Sequence, residues 1–220
     1  MTAFSSRVVA ATTHGRYLLS APSDGAADRV LVGFHGYAEA AEAQLERLSS
    51  CPGAERAVLV SIQGLHRFYR GRSTDVVASW MTRQDRDLAI ADNLSYIDAV
   101  LREVTSGLDR PSVVFSGFSQ GGAMAFRAAC ASPRRVGGVI VLGNDIPPEL
   151  DERALGRLSA VLIGRGERDM WYTAEKMTAD LQRLRTAGVT VDEVVLDAGH
   201  EWTPAFSQIA GKFLSASRNK

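Results

Sequence analysis

The chain of 220 residues contains only two cysteines and no cluster of metal-ligating residue types. Cys51 and Cys130 lie far apart, and neither has a histidine or a second cysteine close by. A zinc-ligand pattern and a disulfide framework both need more cysteines at shorter spacing, so the sequence excludes them. We therefore expect two reduced thiols, no metal and a cytoplasmic location.

The chain also has no net charge, because 25 basic residues balance 25 acidic ones. Nucleic-acid-binding domains usually carry an excess of positive charge, so no nucleic-acid partner is expected. The sequence has no run of eighteen apolar residues and no signal-peptide-like segment at its start. We expect no integral membrane association, whereas the sequence indicates nothing about oligomeric state.

The distribution of apolar residues predicts one α/β domain over residues 1–220. Short segments that are apolar throughout alternate with longer amphipathic segments, a pattern typical of a mostly parallel sheet with helices on both faces. Residues 8–11 and 17–20, joined through His14 and Gly15, predict an N-terminal antiparallel hairpin. Most connections are short, so no large cap domain is expected. The predicted strands of this sheet are residues 29–34, 57–62, 112–116, 138–142, 160–163 and 189–196.

The motif Gly117-Phe118-Ser119-Gln120-Gly121 matches G-x-S-x-G, and the predicted elements on either side of it add to its significance. A predicted strand precedes it, and a predicted helix of small residues follows it. Such a sharp strand-to-helix turn exposes a nucleophilic serine and needs small residues on either side. The motif therefore predicts Ser119 as a nucleophile.

A serine hydroxyl needs a base, and the base needs a carboxylate that orients it. His200 follows the last predicted strand, and Asp169 follows the strand at residues 160–163. The order Ser119, Asp169, His200 is the chain order of α/β-hydrolases. From the sequence, Asp145 and Glu167 stay open as rival acids.

Stabilisation of an acyl-transfer oxyanion needs two N–H donors. We expect one from the backbone of Gln120, directly after the nucleophile, and one from the backbone of Tyr37, in the loop after an early strand. His35, in the same loop, is expected to support the loop by hydrogen bonding and to take no direct part in the chemistry.

These segments resemble the phospholipase/carboxylesterase family of α/β-hydrolases, which includes acyl-protein thioesterases and small bacterial esterases. The stretch 117–125 closely resembles the family's G-F-S-Q-G-G-A-M-A motif, and 34–39 resembles its L-H-G-x-G-D oxyanion segment. Residues 166–169 and 199–200 resemble the segments that carry the acid and the base. The resemblance extends from about residue 30 to residue 214.

The sequence departs from the family pattern in three places. Ala38 stands where the oxyanion segment usually has its second glycine, and residues 79–82 lack the aspartate of a W-F-D element. The proline usual after the second main strand is also missing near residues 61–63. The resemblance thus implies a cofactor-free serine hydrolase, but these departures do not favour protein deacylation as its activity.

Four large side chains near the predicted site are candidates for a substrate pocket, with core packing as the alternative for each tryptophan. They are Trp80, Met81, Trp171 and Trp202.

The sequence also contains a basic and aromatic stretch at residues 65–72. Arg67, Arg70 and Arg72 either bind an anionic part of the substrate or form an ordinary solvated loop.

The sequence favours a serine carboxylesterase that hydrolyses short- to medium-chain esters of small molecules through an acyl-enzyme. An acyl thioesterase or lysophospholipase is the alternative within the same chemistry. Amide, peptide or lactone cleavage on the same triad also stays open. A non-catalytic ligand-binding protein on the same fold is less favoured, because all three triad residue types are present.

Overall fold

A computed structural model describes residues 4–23, 25 and 27–216, and in these residues the chain forms nine strands and six α-helices. The strands are β1 (Arg16–Ser20), β2 (Arg29–Phe34), β3 (Ala57–Gln63), β4 (His66–Tyr69), β5 (Val76–Ser79), β6 (Ser112–Phe118), β7 (Val136–Leu142), β8 (Ala160–Gly166) and β9 (Thr190–Leu196). The helices are α1 (Ala41–Ser49), α2 (Arg86–Val104), α3 (Gln120–Ala131), α4 (Glu152–Leu155), α5 (Ala174–Thr186) and α6 (Pro204–Ala216).

Seven strands form one sheet in the order β1-β3-β2-β6-β7-β8-β9, and only β1 runs antiparallel to its neighbour. The predicted α/β-hydrolase architecture is confirmed. Each buried strand sends alternate side chains to opposite faces, as its pleat requires. Val30, Val32 and Phe34 pack on one side with residues of α2, α3 and α5, whereas Leu31 packs on the other with α1 and α6.

The predicted N-terminal hairpin is wrong. Residues 8–11 are exposed and form no strand, and β1 pairs with β3, Arg16 lying opposite Gln63. His14 and Gly15, which were expected to form the hairpin turn, contact other parts of the chain instead. Gly15 lies so close to the ring of Tyr96 that a Cβ would be 2.1 Å from its Cε2, and the His14 carbonyl accepts a bond from Arg67. The chain is therefore anchored at this point and does not fold back on itself.

A hairpin does occur later in the chain, in the region of residues 65–72, for which a solvated loop was one of the two sequence interpretations. Strands β4 and β5 pair antiparallel, from His66 opposite Ser79 to Tyr69 opposite Val76. An isolated bridge between Glu39 and Ala78 joins this hairpin to the loop after β2. None of the described helices is both long and apolar enough to cross a bilayer.

Candidate active site

The carboxyl ends of the parallel strands bring the predicted site residues together, as in other open α/β sheets. Ser119 lies between β6 and α3 with φ 51° and ψ −128°, a backbone conformation that non-glycine residues rarely adopt. Its N–H donates to the Leu142 carbonyl at 3.0 Å, and its own carbonyl accepts from Gly122 at 2.8 Å. These bonds hold the strained turn in place.

Two glycines make this turn possible. A Cβ on Gly117 would lie 2.2 Å from the Gly121 carbonyl oxygen, and a Cβ on Gly121 would lie 2.0 Å from the Phe34 carbonyl oxygen. Neither contact involves a side chain that could move aside. The second contact also shows that the start of α3 packs against the end of β2. The loop of residues 35–39 begins there; because it carries the predicted oxyanion donor Tyr37, it is termed the oxyanion loop.

Ser119, His200 and Asp169 form one chain of hydrogen bonds. His200 Nε2 is 2.8 Å from Ser119 Oγ, and His200 Nδ1 is 2.8 Å from Asp169 Oδ2. A carboxylate only accepts, so Nδ1 carries the proton and Nε2 is left to accept from the serine hydroxyl. The His200 side chain is 23% exposed and that of Asp169 only 1%. His200 therefore faces solvent, while the carboxylate bonded to it is enclosed.

The rival acids of the sequence analysis do not reach His200. Asp145 is exposed and lies 3.5 Å from Lys176 Nζ, and Glu167 is also exposed. Asp169 is held by the backbone: its Oδ1 accepts from the N–H groups of Trp171 (2.8 Å) and Tyr172 (3.0 Å). With one oxygen fixed in this way, the other points at the imidazole.

The two predicted oxyanion donors lie on adjacent segments. Gln120 is the first residue of α3, where N–H groups lack intrahelical partners. Within the described residues, neither its N–H nor that of Tyr37 donates to another protein group. The loop that carries Tyr37 is fixed on both sides, by the bond from Ala38 N to the Ala78 carbonyl (3.0 Å) and by that from Gly36 N to Glu39 Oε2 (2.7 Å).

The buried side chain of His35 supports this loop from the protein interior. Its fully buried ring lies with Nδ1 2.7 Å from the Gly36 carbonyl and Nε2 3.0 Å from the Gly64 N–H. The ring satisfies both partners only as the neutral tautomer with the proton on Nδ1. Burial lowers the pKa of His35, which also favours the neutral form.

Of the four candidate pocket residues, Trp80 has a different position from the one expected. Its side chain is fully buried, its ring centroid is 5.1 Å from that of His35, and its Nε1 donates to the His35 carbonyl at 2.8 Å. A side chain without exposed surface cannot line an open pocket. Trp80 instead packs behind the oxyanion loop, because its large apolar ring and its single donor both find partners there.

The other three candidates keep some exposed surface. Met81 is half-buried, and Trp171 is 76% exposed directly after Asp169. Trp202 is half-buried against Phe206 and donates from Nε1 to Ser207 Oγ at 2.9 Å. It lines a cavity of about 340 Å³ between α1 and the start of α6.

Three further features support the arrangement of the site. The Gln120 side chain accepts from Trp80 N (3.0 Å) and donates to the Met81 carbonyl (3.0 Å), fixing the segment after β5. Ala38 adopts φ 56°, the left-handed conformation that explains the family's preference for glycine at this position. The buried carboxylate of Asp180 accepts from Tyr172 Oη (3.1 Å) and so supports the acid loop. Of these three features, only Ala38 is indicated by the sequence, because it stands where the family usually has a glycine.

A sequence model of the family described as Phospholipase/Carboxylesterase matches residues 21–218. The chain belongs to this family. As a member of the phospholipase/carboxylesterase family, it is a hydrolase that acts on ester bonds, of the esterase or thioesterase type within the α/β-hydrolases.

Solved structures of similar fold agree with this membership. Esterase PE8 is similar with a TM-score of 0.72 and 20% identity, over 93% of this chain and 99% of that one. The Bacillus cereus carboxylesterase gives 0.70 and 17%, over 92% and 94%. The Zea mays acyl-protein thioesterase 2 gives 0.70 and 15%, over 93% and 99%. At these identities the likeness shows the shared fold.

Proposed function

We propose that this protein is a serine carboxylesterase that hydrolyses short- to medium-chain carboxylic esters through an acyl-enzyme. Ser119 is the nucleophile, His200 the general base and acid, and Asp169 the group that orients His200. The observation that carries the proposal is the hydrogen-bond chain through these residues, with both bonds at 2.8 Å. The strained serine turn supports it, because this geometry exposes the hydroxyl beside the start of α3.

In the acylation step, Ser119 Oγ attacks the ester carbonyl carbon and its proton passes to His200 Nε2. The carbonyl oxygen becomes an oxyanion that accepts hydrogen bonds from the N–H groups of Tyr37 and Gln120. Asp169 stabilises the imidazolium through Nδ1–H. When the carbon–oxygen bond to the leaving group breaks, His200 returns the proton to that oxygen.

In the deacylation step, a water molecule gives a proton to His200 Nε2 and attacks the acyl-enzyme carbonyl. The same two N–H groups bind the second oxyanion, and His200 then protonates Ser119 Oγ as the acid leaves. A thioester would follow the same course with a sulfur leaving group, so matched thioesters belong in the substrate series.

The preference for short and medium acyl chains is supported by the open surroundings of the triad. His200 is partly exposed, Trp80 is withdrawn into the core, and Trp171 extends into solvent. Values of kcat/KM across p-nitrophenyl esters from acetate to palmitate, with acyl-CoA thioesters of the same chains, test this preference. We expect an optimum among the short and medium oxygen esters. An optimum at palmitate, or on the thioesters, would favour the thioesterase alternative.

The role of Ser119 is tested by turnover of p-nitrophenyl acetate. Ser119→Ala should lower kcat by about 10⁴-fold or more, the scale seen when a triad nucleophile is removed. Ser49→Ala is the matched control, because this exposed serine near the end of α1 donates only to the Leu45 carbonyl. Equal activity of the two variants would reject the proposed mechanism.

A further inference from the structure

The segment from Gly64 to Arg83, which contains the β4–β5 hairpin, carries an excess of positive charge although the net charge of the whole protein is zero. It contains four arginines and a single acid, Asp75. Eleven arginines elsewhere form ion pairs, among them Arg16, Arg47 and Arg127. None of the four in this segment has a carboxylate partner in the part of the chain that the structure describes. In the described residues, these four guanidinium groups therefore have no carboxylate within ion-pair distance.

Arg70 places part of this charge beside the oxyanion loop. Its Nη2 donates at 3.1 Å to the carbonyl of Ala38, the residue that follows Tyr37 in the chain. The side chain is exposed, and its other N–H groups have no protein acceptor among the described residues. A guanidinium with free N–H groups is well suited to bind a carboxylate or phosphate.

Several contacts hold the backbone of the hairpin that carries Arg70 against the oxyanion loop. The ring of Phe68 lies 5.8 Å from that of Tyr37, and Ala78 N donates to the Glu39 carbonyl at 2.9 Å. Arg70 N donates to the Asp75 carbonyl at 2.9 Å and closes the turn at the hairpin tip. Arg72 lies exposed in the same turn, whereas Arg67 bonds to the His14 carbonyl, in the segment before β1.

We propose that Arg70 and Arg72 form a subsite for an anionic group of the substrate. The inference rests on the proposed esterase function and specifies its substrate class: esters that carry a carboxylate or phosphate within reach of the oxyanion loop. The acyl part and the alcohol part could each supply this anion, and the two sources differ in which substrate responds to loss of the arginines.

Two substrate pairs distinguish these sources. The first pair, 4-nitrophenyl hydrogen glutarate and 4-nitrophenyl pentanoate, differs in charge on the acyl side. The second pair, 4-acetoxybenzoate and its methyl ester, differs in charge on the leaving-group side. For each pair the measured quantity is the ratio of kcat/KM for the anionic ester to kcat/KM for the neutral ester. This ratio removes any general effect that losing the Arg70 bond has on the oxyanion loop.

In the double variant Arg70→Gln/Arg72→Gln, we expect the ratio to fall roughly fivefold for one pair, the size expected for two exposed charge interactions. Added salt should lower the ratio in the wild type but not in this variant. Arg135→Gln is the matched control, because Arg135 is also exposed but precedes β7, at the opposite edge of the sheet from Ser119. Its ratio should equal that of the wild type.

Unchanged ratios in the double variant for both pairs would overturn the subsite while leaving the esterase proposal intact. Failure of the esterase proposal itself is a separate result, recognised when Ser119→Ala hydrolyses the neutral esters as fast as the wild type.

Discussion

The indole Nε1 of Trp80 donates a 2.8 Å hydrogen bond to the carbonyl oxygen of His35, and both side chains are fully buried. This bond joins the segment after β5 to the start of the oxyanion loop. The main-chain groups of Trp80 are also fixed, since its N–H donates to Gln120 Oε1 and its carbonyl accepts from Asn93. Trp80 thus connects the loop of Tyr37 with Gln120, the residue that follows Ser119.

Replacing Trp80 by Phe keeps an aromatic ring but removes the donor to the His35 carbonyl. A buried carbonyl without its partner costs about 1–3 kcal/mol, so the free energy of unfolding should fall by that amount. We expect kcat to fall as well, because the oxyanion loop loses a support. Urea denaturation and p-nitrophenyl acetate kinetics measure the two effects.

Trp171→Phe serves as the comparison for this change, because Trp171 is 76% exposed. Its free energy of unfolding should stay within about 0.5 kcal/mol of the wild type. Equal stability of Trp80→Phe and Trp171→Phe would contradict a supporting role for Trp80.

Ala38→Gly should stabilise the protein. Ala38 has φ 56°, and the left-handed conformation costs a residue with a Cβ about 1–2 kcal/mol. The larger backbone entropy of glycine in the unfolded chain offsets part of this gain, which leaves a net increase of roughly 0.5–1 kcal/mol in the free energy of unfolding. Thermal or urea unfolding measures it.

The opposite sign is expected for Ala43→Gly, in the first turn of α1, where glycine costs up to about 1 kcal/mol relative to alanine. If both variants were destabilised alike, the account of strain at Ala38 would be wrong.

Tyr172→Phe should lower kcat several-fold while KM changes little. Tyr172 N donates to Asp169 Oδ1, and Tyr172 Oη donates to the buried Asp180 at 3.1 Å. Burial raises the pKa of Asp180, so this carboxylate depends on its few donors. Without the hydroxyl, the acid loop is less firmly held and His200 is oriented less well.

Tyr96→Phe is the control for this variant, because it also removes a tyrosine hydroxyl bond, to the Arg16 carbonyl at 2.6 Å, but away from the triad. A similar loss of kcat in both variants would show that the effect comes from general destabilisation and not from the position of Asp169.

The stability of the protein should decrease as the pH falls below about 6.5, the ordinary pKa of histidine. Burial lowers the pKa of His35 in the folded state, so between the two pKa values the unfolded chain binds the extra proton. The contribution of His35 is therefore complete above pH 6.5 and is lost as the pH falls toward the folded pKa. Urea midpoints at pH 5.5 and pH 7.5 measure this decrease.

In His35→Gln, this part of the decrease should disappear, although the variant is less stable at both pH values. Subtracting the two proteins removes the contributions of carboxylates that they share. A pH dependence that is the same in both proteins would mean that His35 is not a buried neutral histidine.

The proximity of Ser119, Asp169 and His200 could be predicted from the sequence because each residue follows a recognisable strand, and parallel strands end at the same edge of the sheet. Ser119 has its own local motif, and the chain order of Asp169 and His200 supplied the rest. The bonds of Trp80 to His35 and of His35 to Gly64 join segments that are distant in sequence, so no local pattern indicates them.

The prediction of an N-terminal hairpin was wrong for a related reason. Residues 8–11 have the composition of a strand, but composition does not select a partner, and β1 pairs with β3 instead. The sequence did not predict the hairpin of β4 and β5, because its arginines and glycine are equally typical of a solvated loop.

The central claim is that Ser119 forms the covalent acyl-enzyme, and the most direct test is intact-protein mass spectrometry after treatment with a fluorophosphonate. We expect a single adduct on the wild type, located on Ser119 by peptide mapping, and no adduct on Ser119→Ala. Ser49→Ala should be labelled like the wild type. An adduct that persists in Ser119→Ala would contradict the account.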